Sequence, residues 1–253
     1  MRRCALFCAL SLFAVLMLAP PVSARAEGPT ALEILQKMDA SISGYQDQEM
    51  DNLMTIVDVS GEQKTYEFTV RQKGERMRLI RFTTGELKGM AVLIEDRNRN
   101  YVYLPGYKRV RRVAAHNMSQ PFAGSDFTQD DMATTKWADV CTPTIEREDE
   151  GYYYLSCPAK PEAKLNYARL AFKVDKKNFW ECQVDYYDKD GKLVKVMENS
   201  DPFVFEGGLH RHRKVVLRDA ITGHKTILDV KTFKVNQGFK DDQFTVRQLQ
   251  WGK

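Results

Sequence analysis

The pattern of apolar and polar positions changes once along this chain, from a helical repeat to a strand repeat. Residues 30–43 carry an apolar residue at every third or fourth position, which is the spacing of one helix face: Leu32, Leu35, Met38 and Ile42. Thr30 and Glu33 stand in capping-box register at the start, and Gly44 ends the predicted helix. From about residue 50 onward, apolar residues alternate with polar ones, as they do in half-buried strands.

The alternating part of the chain reads as a long series of β-hairpins. Tyr66, Phe68 and Val70 alternate with polar neighbours, and turn signals recur at short intervals. The clearest hairpin signal is YYDKDGKL at residues 186–193. We identify about eleven candidate strands with no crossover helix between them. The sequence therefore predicts a mostly β fold, with a single antiparallel meandering sheet and an N-terminal helix.

One segment, residues 114–136, interrupts the strands. It shows no alternation, and Thr128 and Asp131 stand in capping-box register at the start of a short helix. Its apolar side consists of Phe122, Phe127 and Met132. A long loop inside a meander is often functional. We interpret it as a helical lid or as a plug for the open end of the sheet, and one segment can serve as both.

The N-terminus reads as a secretory signal peptide over residues 1–26. Two arginines precede an apolar run, a Pro-Pro pair breaks it, and Ala24-Arg25-Ala26 supplies the small-x-small cleavage pattern. The alternative is a membrane anchor, but the run is short for a bilayer core, which needs about 20 residues. We expect cleavage, an exported protein in the periplasm, and a single carrier domain over residues 27–253.

Removing this segment changes the charge of the chain. The full sequence has a formal net charge of +4, and the loss of three arginines lowers it to about +1. A net charge this close to zero does not support a nucleic-acid-binding surface. With 43% hydrophobic and 28% charged residues, the composition is that of a folded globular protein.

Three cysteines remain after residue 26. Cys141 and Cys157 flank an acidic stretch that ends at Gly151; if this stretch forms a hairpin centred near Asp149, the two lie directly opposite each other. We predict a disulfide between them, and Cys182 as a buried free thiol. No CxxC or HxxxH spacing indicates a metal site.

The residues show no pattern typical of an active site. His210 and His212 alternate among arginines, which disfavours metal binding and indicates a solvated strand edge. The Asp130-Asp131 pair suits a helix start better than acid–base catalysis. No glycine-rich phosphate loop is present. We expect no enzymatic activity and no cofactor, although a hydrolase with a site assembled from distant residues stays open.

A basic run is the sharpest charge feature of the sequence: Lys108, Arg109, Arg111 and Arg112. It forms either a solvated strand face, the usual meaning of such a run, or a patch that contacts anionic head groups or an acidic partner.

Four segments follow one another in a specific order: KGMAVLI at 88–94, YVYLP at 101–105, KRVRRV at 108–113, and FAGSDFT followed by DDM at 122–132. In this order they resemble the outer membrane lipoprotein-sorting protein family, a broader branch of the LolA/LolB superfamily. The resemblance implies an incomplete β-barrel closed by helices, with an apolar cavity for acyl chains. It also implies a lipid or lipoprotein cargo and association with an RND/MMPL-type membrane permease.

These observations favour a non-enzymatic carrier that hides acyl chains from water, at about 0.8 kcal/mol per CH₂. We expect the 114–136 segment to move aside for loading, and the ligand to contact Leu93, Tyr103, Phe122, Phe127 and Met132. Alternation alone does not say which strand face points inward. The alternative is an envelope docking protein that uses the basic run. We expect a monomer that contacts the membrane transiently.

Overall fold

The computed structural model of the protein describes residues 28–134 and 136–251. The predicted signal peptide lies outside the described residues. Within them, no helix combines the length and apolar character that a bilayer crossing needs.

The N-terminal helix α1 spans Ala31–Ser43, as predicted. Its capping box is confirmed, because the Glu33 amide donates to Thr30 Oγ1 at 3.2 Å and the Thr30 amide donates to the Glu33 carboxylate at 2.8 Å. The predicted apolar stripe needs one correction. Leu32 is exposed, and Ile34 is buried.

Thirteen antiparallel strands form one sheet within the described residues, against about eleven predicted. They are β1 Asp47–Val57, β2 Gln63–Lys73, β3 Met77–Phe82, β4 Ala91–Asp96, β5 Arg99–Leu104, β6 Arg109–Arg112, β7 Thr144–Glu148, β8 Tyr152–Pro158, β9 Arg169–Asp175, β10 Glu181–Tyr187, β11 Leu193–Phe205, β12 Leu209–Asp219 and β13 Lys225–Val235. The predicted hairpin at 186–193 joins β10 to β11, with Tyr187 paired to Leu193. The predicted fold class is confirmed.

The strand order is β6-β5-β4-β3-β2-β1-β13-β12-β11-β10-β9-β8-β7. The first and last strands of the chain therefore pair in the middle of the sheet, and two hairpin series run outward from them. β6 and β7 are the edges and do not pair with each other, so the sheet is open. Both edge strands are short and mostly exposed, which gives them little of the alternating pattern that marks a strand.

The sheet is strongly curved. Arg78 of β3 and Glu181 of β10 line the same cavity, although six strand spacings separate β3 from β10. In a flat sheet that distance is about 29 Å. The inner face packs on α1 in the main hydrophobic core, which includes Phe68, Ile80 and Phe172.

A second, smaller core covers part of the outer face. Leu79, Ala91 and Leu93 pack there with Phe244 and with Leu249 of the C-terminal helix α4, which spans Val246–Trp251. β4 is therefore covered on both faces.

Candidate functional site: a cavity beneath the inserted segment

Residues 113–143, here called the insert, connect one edge strand of the sheet, β6, to the other, β7. The insert contains α2 (Gln129–Ala133) and α3 (Trp137–Val140). The predicted capping box of α2 is confirmed, with the Asp131 amide donating to Thr128 Oγ1 at 3.0 Å. Since the insert crosses between the two edges, it lacks the strand alternation of its neighbours.

Several polar contacts hold the insert to the rest of the protein, and three of them involve buried carboxylates of the insert or of α1. Arg97, in the β4–β5 turn, donates two 2.7 Å hydrogen bonds to the buried carboxylate of Asp130. The first two amides of α3 donate to the Asp39 carboxylate of α1 at 2.9 Å each. Thr226 of β13 donates to Asp126 at 2.7 Å. The insert therefore closes over the inner face through these polar contacts and through its own core residues Phe122, Phe127 and Ala133.

A cavity of about 240 Å³ lies between the insert, the C-terminal end of α1 and the inner face of the sheet. Its apolar wall comprises Ile42, Phe127, Met132, Trp137, Trp180, Tyr186, Met197, Val215, Leu228 and Val230. Its polar wall comprises Ser41, Arg78, Asp131, Thr134, Glu181, Asn199, Arg211 and His212. A mostly apolar wall with a few charged groups is typical of a ligand site.

The structure brings two of the five predicted ligand residues to this cavity. Phe127 and Met132 of the insert form part of its wall. Phe122 lies nearby but is buried against Phe82, with ring centroids 5.9 Å apart, and does not line the cavity.

The other two predicted ligand residues are on the opposite face of the sheet. Leu93 and Tyr103 belong to the small outer core with α4, so their expected place in the cavity is wrong. The physical reason is that Ala91, Val92, Leu93 and Ile94 are all buried, because β4 is covered on both sides. A strand without a polar face carries no signal for which side points inward.

Comparison with known proteins bears on this geometry. A protein-family model described as "uncharacterized protein" matches residues 74–251, most of the chain. The chain belongs to this family. A search of curated proteins found no match.

Three solved structures show the same fold. An outer membrane lipoprotein-sorting protein domain from Vibrio parahaemolyticus is 21% identical, with a TM-score of 0.77 over 87% of this chain and 98% of its own. A DUF1329 family protein from Desulfovibrio piger is 23% identical, with a TM-score of 0.80 over the same shares of the two chains. A LolA superfamily protein from Nitrosomonas europaea is 21% identical, with a TM-score of 0.73 over 87% and 99%. This chain therefore has a LolA-like fold, as the sequence resemblance implied.

Sequence reasoning missed the charged groups that this LolA-like fold places in the cavity. Burial, together with the charge of Arg211, lowers the pKa of Arg78 to about 10. Burial also lowers the pKa of Arg211 and raises that of Glu181 to about 7. One signal was available in the sequence. Arg78, Ile80 and Phe82 are alternate residues of β3, so Arg78 lies on the same inner face as the two core residues.

The predicted solvated edge at His210 and His212 is only half correct. His210 is exposed, whereas His212 is half-buried in the cavity wall, with its ring 5.1 Å from that of Trp180. Burial and the adjacent Arg211 both lower the pKa of His212.

The basic run lies on the edge strand β6 and the turn before it. Lys108, Arg109, Arg111 and Arg112 are all exposed, and in the described part of the chain none forms an ion pair with a carboxylate. Arg112 donates to the Asn98 carbonyl at 3.1 Å. The run is therefore a solvated strand edge.

The two cysteines of the predicted disulfide are neighbours, but they do not lie directly opposite each other. Cys141 pairs with Ala159 instead of Cys157. Asp149 accepts hydrogen bonds from the amides of Gly151 and Tyr152, so the turn is centred after Asp149 and not on it, and the residue opposite Cys141 lies later in the chain. Both cysteines are buried free thiols in this structure. A hydrogen bond with Cys141, together with burial, raises the pKa of Cys157.

We expect these neighbouring thiols to be joined in the protein isolated from an oxidising compartment. Alkylation in denaturant without reductant should then modify only Cys182, and prior reduction should expose two more thiols to the reagent. Intact-protein mass spectrometry gives the number of alkylated cysteines per chain. Modification of all three cysteines without reductant contradicts the pairing, and a Cys182→Ser variant, expected to show no alkylation, identifies the free thiol.

The buried carboxyls beside the cavity predict a pH-dependent stability. Burial raises the pKa of Asp39 to about 6 and that of Glu181 to about 7. The folded state therefore binds more protons than the unfolded state between about pH 4 and pH 7, and the contribution of these groups to stability falls as pH rises through that window. We expect a Tm several degrees higher at pH 5.5 than at pH 7.5, and a smaller difference in Glu181→Gln. The exposed Glu198→Gln is the control; an unchanged pH slope in Glu181→Gln contradicts the assignment.

Proposed function

We propose that this protein is a non-enzymatic carrier that binds the acyl chains of a lipid or lipoprotein and moves them between envelope membranes. The observation that carries the proposal is the cavity between the insert and the inner face of a curved LolA-like sheet. In this proposal the signal peptide is cleaved, residues 27–253 form the carrier domain, and the monomeric protein acts in the periplasm.

Loading requires the insert to move. At about 240 Å³ the cavity is smaller than the roughly 300–1,000 Å³ of typical small-molecule sites, so an acyl chain enters only when Phe127 and Met132 shift outward. Such movement breaks the buried contacts at Arg97, Asp39 and Thr226, so the open form is a minor state that ligand binding stabilises. Binding involves no covalent step, and the free energy comes from removing methylene groups from water.

An extraction assay tests the proposal. The purified protein is incubated with vesicles of phosphatidylethanolamine and phosphatidylglycerol that contain a radiolabelled tracer of each lipid, and the vesicles are then removed by flotation. We expect label to remain with the protein in proportion to its concentration. Absence of label above a buffer control, at any protein concentration, contradicts the carrier function.

The exposed cations of the basic run favour a second candidate, a docking protein that contacts the membrane or a permease through residues 108–112. The same assay separates the two functions. Protein that floats with the vesicles but extracts no label, and whose flotation weakens steeply with salt, supports docking instead of transport.

A further inference from the structure

Two arginines from distant parts of the sheet face the same cavity. Arg78 lies on β3 and Arg211 on β12, and both line the wall. Arg78 donates to Gln72 Oε1 at 2.7 Å and to the Met132 carbonyl at 2.9 Å. Arg211 makes one long hydrogen bond, 3.5 Å to the Ile42 carbonyl, and its guanidinium lies 4.9 Å from the centre of the Phe233 ring. A guanidinium has five N–H donors, so most of their donors have no protein acceptor among the described residues.

Neither arginine forms an ion pair with a carboxylate in the described residues. The two acidic groups of the cavity wall are already engaged elsewhere. Asp131 lies 3.4 Å from Lys195 Nζ and accepts the Thr128 amide at 2.8 Å. Glu181 accepts from the Trp137 indole at 3.0 Å and from the Asn199 side chain at 3.1 Å.

The wall has two guanidinium groups and two carboxyl groups. Asp131 is paired with Lys195, and Glu181, which also attracts Arg211, is only partly ionised at neutral pH because burial raises its pKa to about 7. Positive charge is therefore in excess next to the apolar wall.

Both guanidinium groups are partly removed from water in the same cavity, and the charge of Arg211 lowers the pKa of Arg78. A bound anion would relieve this repulsion. Their planar guanidinium groups match the geometry of phosphate and carboxylate oxygens, which they bind in pairs of hydrogen bonds. The rest of the wall, including Phe127, Met197, Val215 and Leu228, suits alkyl groups.

We propose that Arg78 and Arg211 bind the anionic head group, a phosphate or carboxylate, of an acyl-bearing amphiphile whose first methylenes occupy the apolar part of the cavity. This inference rests on the proposed carrier function and narrows it, because it assigns the cargo a negatively charged head. It also places the head beneath the insert, since Arg78 is hydrogen-bonded to the Met132 carbonyl.

The test compares three amphiphiles with the same C12 chain: dodecyl phosphate, dodecanoate and dodecanol. The two anions are titrated into lipid-free protein below their micelle concentrations and dodecanol below its solubility limit, with inorganic phosphate alone as a fourth ligand. We expect the two anionic amphiphiles to bind at least about tenfold more tightly than dodecanol, as hydrogen bonds to a charged group predict. Inorganic phosphate alone is expected to bind far more weakly than dodecyl phosphate.

Substitution of the arginines locates the effect. Arg211→Met and Arg78→Met should each weaken dodecyl phosphate about tenfold and leave dodecanol unchanged, whereas Arg211→Lys should retain part of the preference. The matched control is Arg218→Met, an exposed arginine on the same strand as Arg211. Thermal unfolding checks the fold of each variant. If the loss of two hydrogen bonds unfolds Arg78→Met, then Arg211→Met, which gives up one long hydrogen bond and the Phe233 contact, carries the test.

The outcomes separate this inference from the function on which it rests. Equal binding of all three amphiphiles, unaffected by either arginine, overturns the anion site and leaves the carrier intact. Inorganic phosphate that binds as tightly as dodecyl phosphate overturns the assignment to an amphiphile. Failure of every amphiphile to bind overturns the carrier function itself, and this inference with it.

Discussion

Phe127→Asp is expected to abolish the retention of acyl ligand. Phe127 lies on the cavity wall and belongs to the main core, so a carboxylate at this position faces the space that the methylenes occupy. Loss of contact with about three methylenes, at about 0.8 kcal/mol each, weakens binding about fiftyfold. The measurement is the amount of lipid that remains with the protein after vesicle extraction, per mole of protein.

Matched variants separate this effect from unfolding. Phe127→Leu keeps an apolar wall and should retain lipid, and Phe203→Asp places the same charge on a residue that is 38% exposed and should change nothing. Because Phe127 is only 8% exposed, thermal unfolding must confirm that the Asp variant folds. If it does not, the half-buried Met132→Asp gives the same test. Full lipid retention in a folded Asp variant means that the insert does not cover the ligand.

Arg97→Met is expected to lower the free energy of unfolding by about 3 kcal/mol, because it leaves the Asp130 carboxylate buried without its partner. Asp130 is almost fully buried, its side chain only 3% exposed, and Arg97 also donates to the Ala163 carbonyl. Burial raises the pKa of Asp130. Protonation of the unpaired carboxyl should therefore make the loss smaller at pH 5 than at pH 8. Urea unfolding at the two pH values measures both effects.

An exposed ion pair provides the comparison. Arg213 and Asp201 are 2.7 Å apart with about half of each side chain in water, so Arg213→Met should cost no more than about 1 kcal/mol. The double variant Arg97→Met/Asp130→Asn should recover part of the stability. If Arg97→Met costs no more than Arg213→Met, the ion pair is not an anchor of the insert.

Features that depend on neighbouring residues were predicted from the sequence. Both capping boxes, at Thr30 and Thr128, follow from residues three positions apart. The 186–193 hairpin follows from its turn residues, and the insert from the loss of alternation between two strand series. The sequence resemblance also predicted the LolA-like fold that the solved structures show.

Features that depend on distant residues were not predicted. Pairing of β1 with β13 joins the two hairpin series into one sheet, and the curvature of that sheet places Arg78 and Arg211 in one cavity. No local pattern contains that pairing. Leu93 was misplaced because α4, from the end of the chain, covers its face of β4. Cys157 does not lie directly opposite Cys141, because the hydrogen bonds of Asp149 place the centre of the turn after that residue.

Native mass spectrometry of the protein isolated from the envelope without detergent tests the carrier function most directly. The account predicts a species heavier than the bare chain by one acylated ligand, lost after solvent extraction and restored by incubation with envelope lipids. Fragmentation of the released ligand identifies it, and the arginine pair predicts a phosphate or carboxylate on it. A single ligand-free mass in every preparation, including after incubation with those lipids, contradicts the account.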